Sequence, residues 1–232
     1  MDLNSKIAVL DQICRIYDEF VAKLDIACKK YCADCCTRNV TMTTLEGYLM
    51  ATHMISWEKS GLFENIERAI PERRFRPQTT TNRLADLCMR GEDPPEEENN
   101  RFNGTCPLMK DNLCSIYQVR PFGCRCFVSK KDCRKQGYAE VDPFIITVNN
   151  LFLQFIEHVD SQGFSGNLID VLKFMESKTN RHNYKRNTLD KPDTGLIPNL
   201  NITVLMIPPE HRVKIKPILK DLQGILEKKW GG

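Results

Sequence analysis

No hydrophobic run in this 232-residue chain is long enough for a secretory signal or a membrane span. After Met1-Asp2-Leu3-Asn4-Ser5-Lys6, the acidic residues Asp11 and Asp18 interrupt every apolar stretch near the N-terminus. A cytoplasmic location without a membrane span is therefore expected. Histidine is scarce. His53, His158, His182 and His211 are dispersed, and none adjoins a cysteine cluster, so imidazole-based sites are not expected. There is no phosphate-cradling glycine loop, serine elbow or dinucleotide fingerprint, which removes the usual grounds for claiming an enzyme. The net charge is only +3, unevenly spread. Residues 178–232 hold 11 Lys or Arg against 5 Asp or Glu, a local +6. The remainder is slightly acidic, with a run at Glu92, Asp93, Glu96, Glu97 and Glu98. Few aromatics interleave the basic tail, so it lacks the stacking platform that nucleic acid needs. A solvated surface is expected there, with RNA, a membrane surface or an acidic protein as the alternative partners.

Cysteine is what the chain has in excess, at 11 residues. A chain of this length can bury a real core and needs no covalent staples. Without an export signal its thiols stay reduced, and the odd total does not pair in any case. Their value must lie in thiolate chemistry or in burial.

Apolar periodicity predicts helices along most of the chain. Leu3, Ile7, Leu10, Cys14, Tyr17, Val21 and Leu24 alternate at steps of four and three, and one more step reaches Cys28. Cys14 sits inside that stripe and is expected in the core. Thr43 and Glu46 have capping-box spacing ahead of a second helix. Glu64–Ala69 and Thr80–Arg90 follow, the latter stopped by Gly91, with Cys88 expected in the core beside Leu84 and Leu87. Further helices are expected around Phe144–Val159, Leu168–Met175 and Ile215–Leu226. The stretch 178–199 reads as irregular, and 201–207 as a short strand. From Cys106 to Cys133 the sequence is turn-rich, with Asp111-Asn112 and Pro121-Phe122-Gly123, and too poor in apolar periodicity for a core to order it. The fold class is mainly α: a helical scaffold with an irregular cysteine-rich metal-binding insert. Residues 1–140 are expected to form the cysteine-cluster domain with its N-terminal helix. Residues 141–232 are expected to form a helical region packed on it, ending in the basic tail.

Nine cysteines fall in two clusters. One is Cys28-Lys29-Lys30-Tyr31-Cys32-Ala33-Asp34-Cys35-Cys36; the other is Cys106, Cys114, Cys124 and Cys133, with Cys126 as an extra member. Thiolate sites favour pairs two to four residues apart, because a tight turn then aims both sulfurs at one ion. Cys32 and Cys35 have that knuckle spacing, and Cys28 and Cys32 would share one face of a helical turn. Adjacent Cys35 and Cys36 diverge, which favours two centres or a cluster over one simple site. Both clusters lie in polar sequence, where burying a thiol gains little. Zinc or an iron–sulfur centre is the expected cofactor, since thiolates suit both. A redox dithiol would need a strand–helix unit around the motif, and none is evident.

The run Cys28-x3-Cys32-x2-Cys35-Cys36, followed by Cys106-Pro107-Leu108, Cys114-Ser115-Ile116-Tyr117, Arg120-Pro121 and Cys124-Arg125, resembles the YkgJ-type cysteine-cluster family. That family is described as a zinc- or iron-chelating domain with a C-x2-C-x2-C-C-like signature. This chain departs from it by one extra residue between Cys28 and Cys32. The resemblance spans Cys28 to Cys133, less the stretch between the clusters. It implies Cys28, Cys32, Cys35, Cys36, Cys106, Cys114, Cys124 and Cys133 as ligands, and little about activity. A similar cluster occurs in flagellin lysine methylases, which keeps an iron–sulfur enzyme of protein methylation or redox chemistry as the alternative. The spacing of the first cluster also matches radical S-adenosylmethionine enzymes. Here, however, Asp34 stands where those enzymes carry an aromatic, and a helix precedes the motif. Four thiolates on one zinc ion leave a net charge of about −2, so nearby cations are expected. Arg120 and Arg125 are the candidates for that support.

Overall fold

The computed structural model describes residues 1–28, 31–97, 104–190, 192 and 195–230, with the side chains of 228–230 excepted. Lys29 and Lys30 of the first cluster, and Glu98 of the acidic run, lie outside the described residues.

Helix α1 (Leu3–Val21) is capped by Asp2, whose Oδ1 accepts the Ser5 N–H at 3.0 Å. Its deepest face is Val9, Leu10, Ile13 and Tyr17, with Cys14 packed at the edge. The helix stops before Leu24, so its stripe does not continue to Cys28. Strand β1 (Thr41–Thr43) leads into α2 (Thr44–Ser56) through the expected capping box of Thr43 and Glu46. Next come α3 (Leu62–Ala69) and α4 (Thr81–Arg90), the latter begun by Thr80 and ended by left-handed Gly91. α4 buries Asn82 and Ala85, which turns Cys88 to solvent rather than into the core. Asn82 is needed inward because its Nδ2 donates to the carbonyls of Gln154 and Leu200.

The turn-rich segment contains β2 (Met109–Lys110), β3 (Leu113–Cys114), a 3-10 turn at Tyr117–Val119, α5 (Phe122–Arg125) and α6 (Cys133–Gln136). Contrary to expectation, a core does help to order it: Leu108, Ile116, Phe122 and Val128 are all buried. α7 (Pro143–Val159) is the central helix, and it buries Val148, Leu151, Phe152 and Phe155. β4 (Phe164–Asn167) then enters α8 (Leu168–Glu176), followed by α9 (Lys178–Lys185), β5 (Leu196–Pro198) and α10 (Arg212–Trp230).

α9 was not foreseen because it has no apolar stripe; Tyr184 is its one buried residue. Its start is fixed by Ser177, whose Oγ accepts the Asn180 N–H at 3.3 Å. The expected strand at 201–207 is absent among the described residues. Side chains of α7 serve that backbone instead. Glu157 accepts from the Leu200 N–H and Gln154 from Met206, while Gln154 Nε2 donates to the Val204 carbonyl. Satisfied in this way, the segment needs no neighbouring strand.

The three-stranded sheet has the order β1-β4-β5, antiparallel throughout, with Met42 opposite Gly166 and Ser165 opposite Ile197. The architecture is mainly α with this small sheet. One continuous core runs from Val9 to Leu226 and draws on both halves of the chain. At its centre the Tyr17 ring meets Phe122 and Phe152 edge-on at 4.7 and 5.1 Å, while Phe122 and Phe152 stack at 5.6 Å. No helix among the described residues is long and apolar enough to cross a membrane.

Candidate metal centre

The first cysteine segment hangs between α1 and β1. Ala27 N–H donates to the Ser129 carbonyl at 2.8 Å, which lays this segment along residues 127–129. Ser129 N–H in turn donates to Cys28 Sγ at 3.3 Å. Tyr31 is left-handed at φ 69°, so Cys28 and Cys32 do not share a helical turn as expected. Around Cys35 the chain folds tightly: Cys36 N–H donates to Ala33 O, and Thr37 N–H to Cys35 O, both at 2.9 Å.

The second segment is registered on the first by its backbone. Cys106 N–H donates to the Cys36 carbonyl at 2.9 Å, and Thr37 bridges Thr105. Asp111 and Asn112, at φ 50° and 59°, supply the double left-handed turn that closes β2 onto β3. That hairpin sets Cys114 opposite Met109, and Ser115 N–H returns to Leu108 O at 2.9 Å. The Leu108 N–H beside Cys106 and the Ile116 N–H beside Cys114 each oppose the rise of the neighbouring thiol, the same two-residue relation used twice. Such donors favour the thiolate over the thiol.

Cys124 rides on α5, which is wedged in place. Buried Glu46 accepts the Phe122 N–H at 2.6 Å while it also accepts the Thr43 N–H and hydroxyl. The capping box of α2 therefore also fixes the start of the cysteine-bearing helix. Gly123 is required here, because a Cβ would fall 2.5 Å from Thr41 O. Cys126 faces inward. Its Sγ lies 3.5 Å from Gly123 O, its carbonyl accepts from Asn149 Nδ2, and Asn149 Oδ1 accepts the Tyr17 hydroxyl at 2.7 Å. Cys133 opens α6, with Sγ 3.9 Å from Lys131 O.

Cys36 is within electrostatic reach of Cys124, Cys106 and Cys114, and Cys28 of Cys32, Cys35 and Cys133, while Cys124 also senses Cys126 and Cys35. Cys35 links them, because its thiol bonds to Cys36. Burial pushes Cys106 up to about 11, and lifts Cys28, Cys114 and, most strongly, Cys124 above the usual thiol range. Cys35 is raised first by its bond to Cys36 and then by burial, and that bond lowers Cys36. Burial also takes Cys14 and Cys126 up to about 12, which suits neutral core thiols.

Arg120 and Arg125 separate in role. Arg120 lies over the Tyr117 ring at 3.8 Å and, with Lys59, holds down the Cys114 thiol. Lys59 itself donates to the Ser115 carbonyl at 2.8 Å and was not foreseen from the sequence. The Arg125 guanidinium turns to Asp18 at 2.9 Å and to the carbonyls of Arg120 and Gln118. Its work is to pin α5 to α1.

Among the described residues, no three His, Cys, Asp or Glu side chains stand ready to hold a metal ion. The donor chemistry nonetheless fits a soft or borderline metal: cysteine sulfur throughout, with the Ser129 N–H bonded to Cys28 Sγ. No family model matches the chain, and neither curated proteins nor solved structures give a match.

Proposed function

We propose that this is a metal-binding protein that holds zinc or an iron–sulfur centre through two cysteine sets, within an irregular cysteine-rich insert on the helical scaffold. One set is Cys36, Cys106, Cys114 and Cys124; the other is Cys28, Cys32, Cys35 and Cys133. The observation that carries the proposal is the Cys106 N–H to Cys36 O bond at 2.9 Å, which joins the two segments at their cysteines. The Ser129 N–H donor on Cys28 adds to it. The resemblance of the motifs to the YkgJ-type family supports the same chemistry. The protein works in a reducing compartment, the cytoplasm, where the thiols remain available. Bound metal would supply charge neutralisation for buried thiolates and tie α1 to the hairpin and to α5.

Anaerobic purification, elemental analysis and a visible spectrum test the proposal. Stoichiometric zinc in a colourless protein, or iron with labile sulfide in a brown one, is the expected result. Cys124→Ser and Cys28→Ser should lower metal content, while Cys14→Ser and Cys88→Ser should not. Free reaction of all cysteines with a thiol reagent in the folded, freshly isolated protein would reject the proposal.

A further inference from the structure

A cavity of about 320 Å³ opens between the C-terminal half of α2 and the exposed face of α9. One wall carries three cations, Lys178, Arg181 and Lys185, with the His182 ring beside them, all from α9. The opposite wall offers the hydroxyls of Thr52 and Ser56, beside the exposed Ile55 and the Tyr48 ring. No carboxylate lines the cavity, and the α9 sequence KTNRHNYK contains none. Lys178, Arg181 and Lys185 recur at steps of three and four, so they crowd one face of the helix. Like charges at that spacing repel, and nothing on α9 offsets them.

The cations are also held in position. Arg181 Nη1 donates to the Met175 and Glu176 carbonyls, both at 2.6 Å, at the end of α8. Lys185 Nζ lies 5.9 Å from the centroid of the Tyr48 ring, which itself packs on Tyr184 at 5.6 Å. A fixed guanidinium, flexible ammonium groups and hydroxyl donors together suit the oxygens of a phosphate monoester. The adjoining Tyr48 and Ile55 surface suits an apolar or ring-shaped body attached to it.

We propose that this cavity binds a small organic phosphate monoester, such as a mononucleotide or a sugar phosphate. It lies apart from the cysteine sets and does not depend on their metal.

Calorimetric titration of the full chain at low salt, with inorganic phosphate, ribose 5-phosphate and adenosine monophosphate as probes, tests the proposal. At least one organic ester should bind about tenfold more tightly than inorganic phosphate, and the double variant K178Q/K185Q should weaken it by about tenfold or more. Both lysines are exposed, so folding is unaffected, and K178R/K185R should retain binding. The control K214Q/K220Q, on exposed positions of α10, should leave affinity unchanged. No binding at millimolar concentrations would overturn the assignment. So would equal affinity for all three probes, or equal weakening in the control.

Discussion

Gly123→Ala isolates the contact on which the placement of Cys124 depends. The added Cβ would sit 2.5 Å from Thr41 O and 3.0 Å from Val40 Cγ1. Carbon–oxygen contacts normally begin near 3.3 Å, so α5 would have to retreat from β1 by roughly 0.8 Å. Thr41 cannot yield easily, because β1 is paired with β4 opposite Asn167. Nor can α5, since Phe122 is bonded to Glu46 and stacked on Phe152. Overpacking of this kind costs about 1–3 kcal/mol, and the better helix propensity of alanine returns at most ~1. A net loss of about 1–2 kcal/mol is expected in urea unfolding, with weakened metal retention at the set containing Cys124. Gly61→Ala is the control: nothing lies within 4 Å of its new Cβ, and its φ of −59° is ordinary. It should be neutral or slightly stabilising. If Gly123→Ala unfolds at the wild-type midpoint and competes with a chromogenic chelator as well as wild type, α5 does not position the site as argued.

Four further outcomes follow from the same geometry. Because burial raises Cys106, Cys114 and Cys124, those thiols are protonated at neutral pH in the metal-free protein. Metal binding must displace about three protons at that set, so log affinity should climb by about 3 per pH unit between pH 6 and 8; a flat profile would exclude these ligands. Lys6 is the one cation paired with buried Asp160, at 3.9 Å among the described residues, and burial raises Asp160 to about 6. Lys6→Met should cost about 3–5 kcal/mol at pH 8 and less at pH 5, where the folded state takes up the proton that neutralises Asp160; a penalty that grows on acidification would contradict this. Arg120→Glu should weaken metal retention more than Arg125→Glu does, since Arg125 is spent on Asp18; equal loss of metal in both would refute that division. Chelation should raise hydrogen exchange more at residues 31–37 and 129–137 than at 108–126, and uniform deprotection would count against it.

Sequence periodicity carried the long elements well. Thr43 with Glu46, Thr80 with Gly91, and the stripe from Phe144 to Val159 each combine a boundary signal with an apolar face, and each marks a helix in the structure. Where one of those signals was missing, the pattern misled. α9 has a cap but no stripe. Residues 201–207 have apolar residues but find their hydrogen-bond partners in Gln154 and His158 rather than in a strand. Cys88 shows how a local pattern fails when a distant polar demand wins, here that of Asn82 for the Gln154 and Leu200 carbonyls. For the site, spacing marked the cysteines as two sequence clusters. Their grouping in space cuts across that division, because Cys36 turns to the second cluster and Cys133 to the first. Adjacent residues of an extended chain project to different sides, which predicted that Cys35 and Cys36 diverge; in the tight turn their thiols meet instead. Which partner each would meet depends on the Cys106–Cys36 backbone bond, a non-local contact that spacing does not encode.

The two sets also differ in what holds them, and the difference has a functional consequence. Cys106, Cys114 and Cys124 belong to a hairpin and a helix whose own residues, Leu108, Ile116 and Phe122, are sealed in the core. Their backbone is ordered by hydrophobic burial and by Glu46, so under the proposed function a metal would have only the side chains left to draw together. Cys28, Cys32, Cys35 and Cys133 lie on segments in which few side chains are buried, Val128 and Ser129 being the nearest anchors. Little apolar area is available to offset the conformational entropy of ordering them. Under the proposed function, metal ligation would be the remaining large favourable term for those segments, whereas at the hairpin it would add to order already present. If the proposed function holds, a centre at the core-anchored set would suit permanent occupancy. A centre at the looser set would suit exchange, because losing its metal would unfold only a local segment and leave the helical scaffold intact.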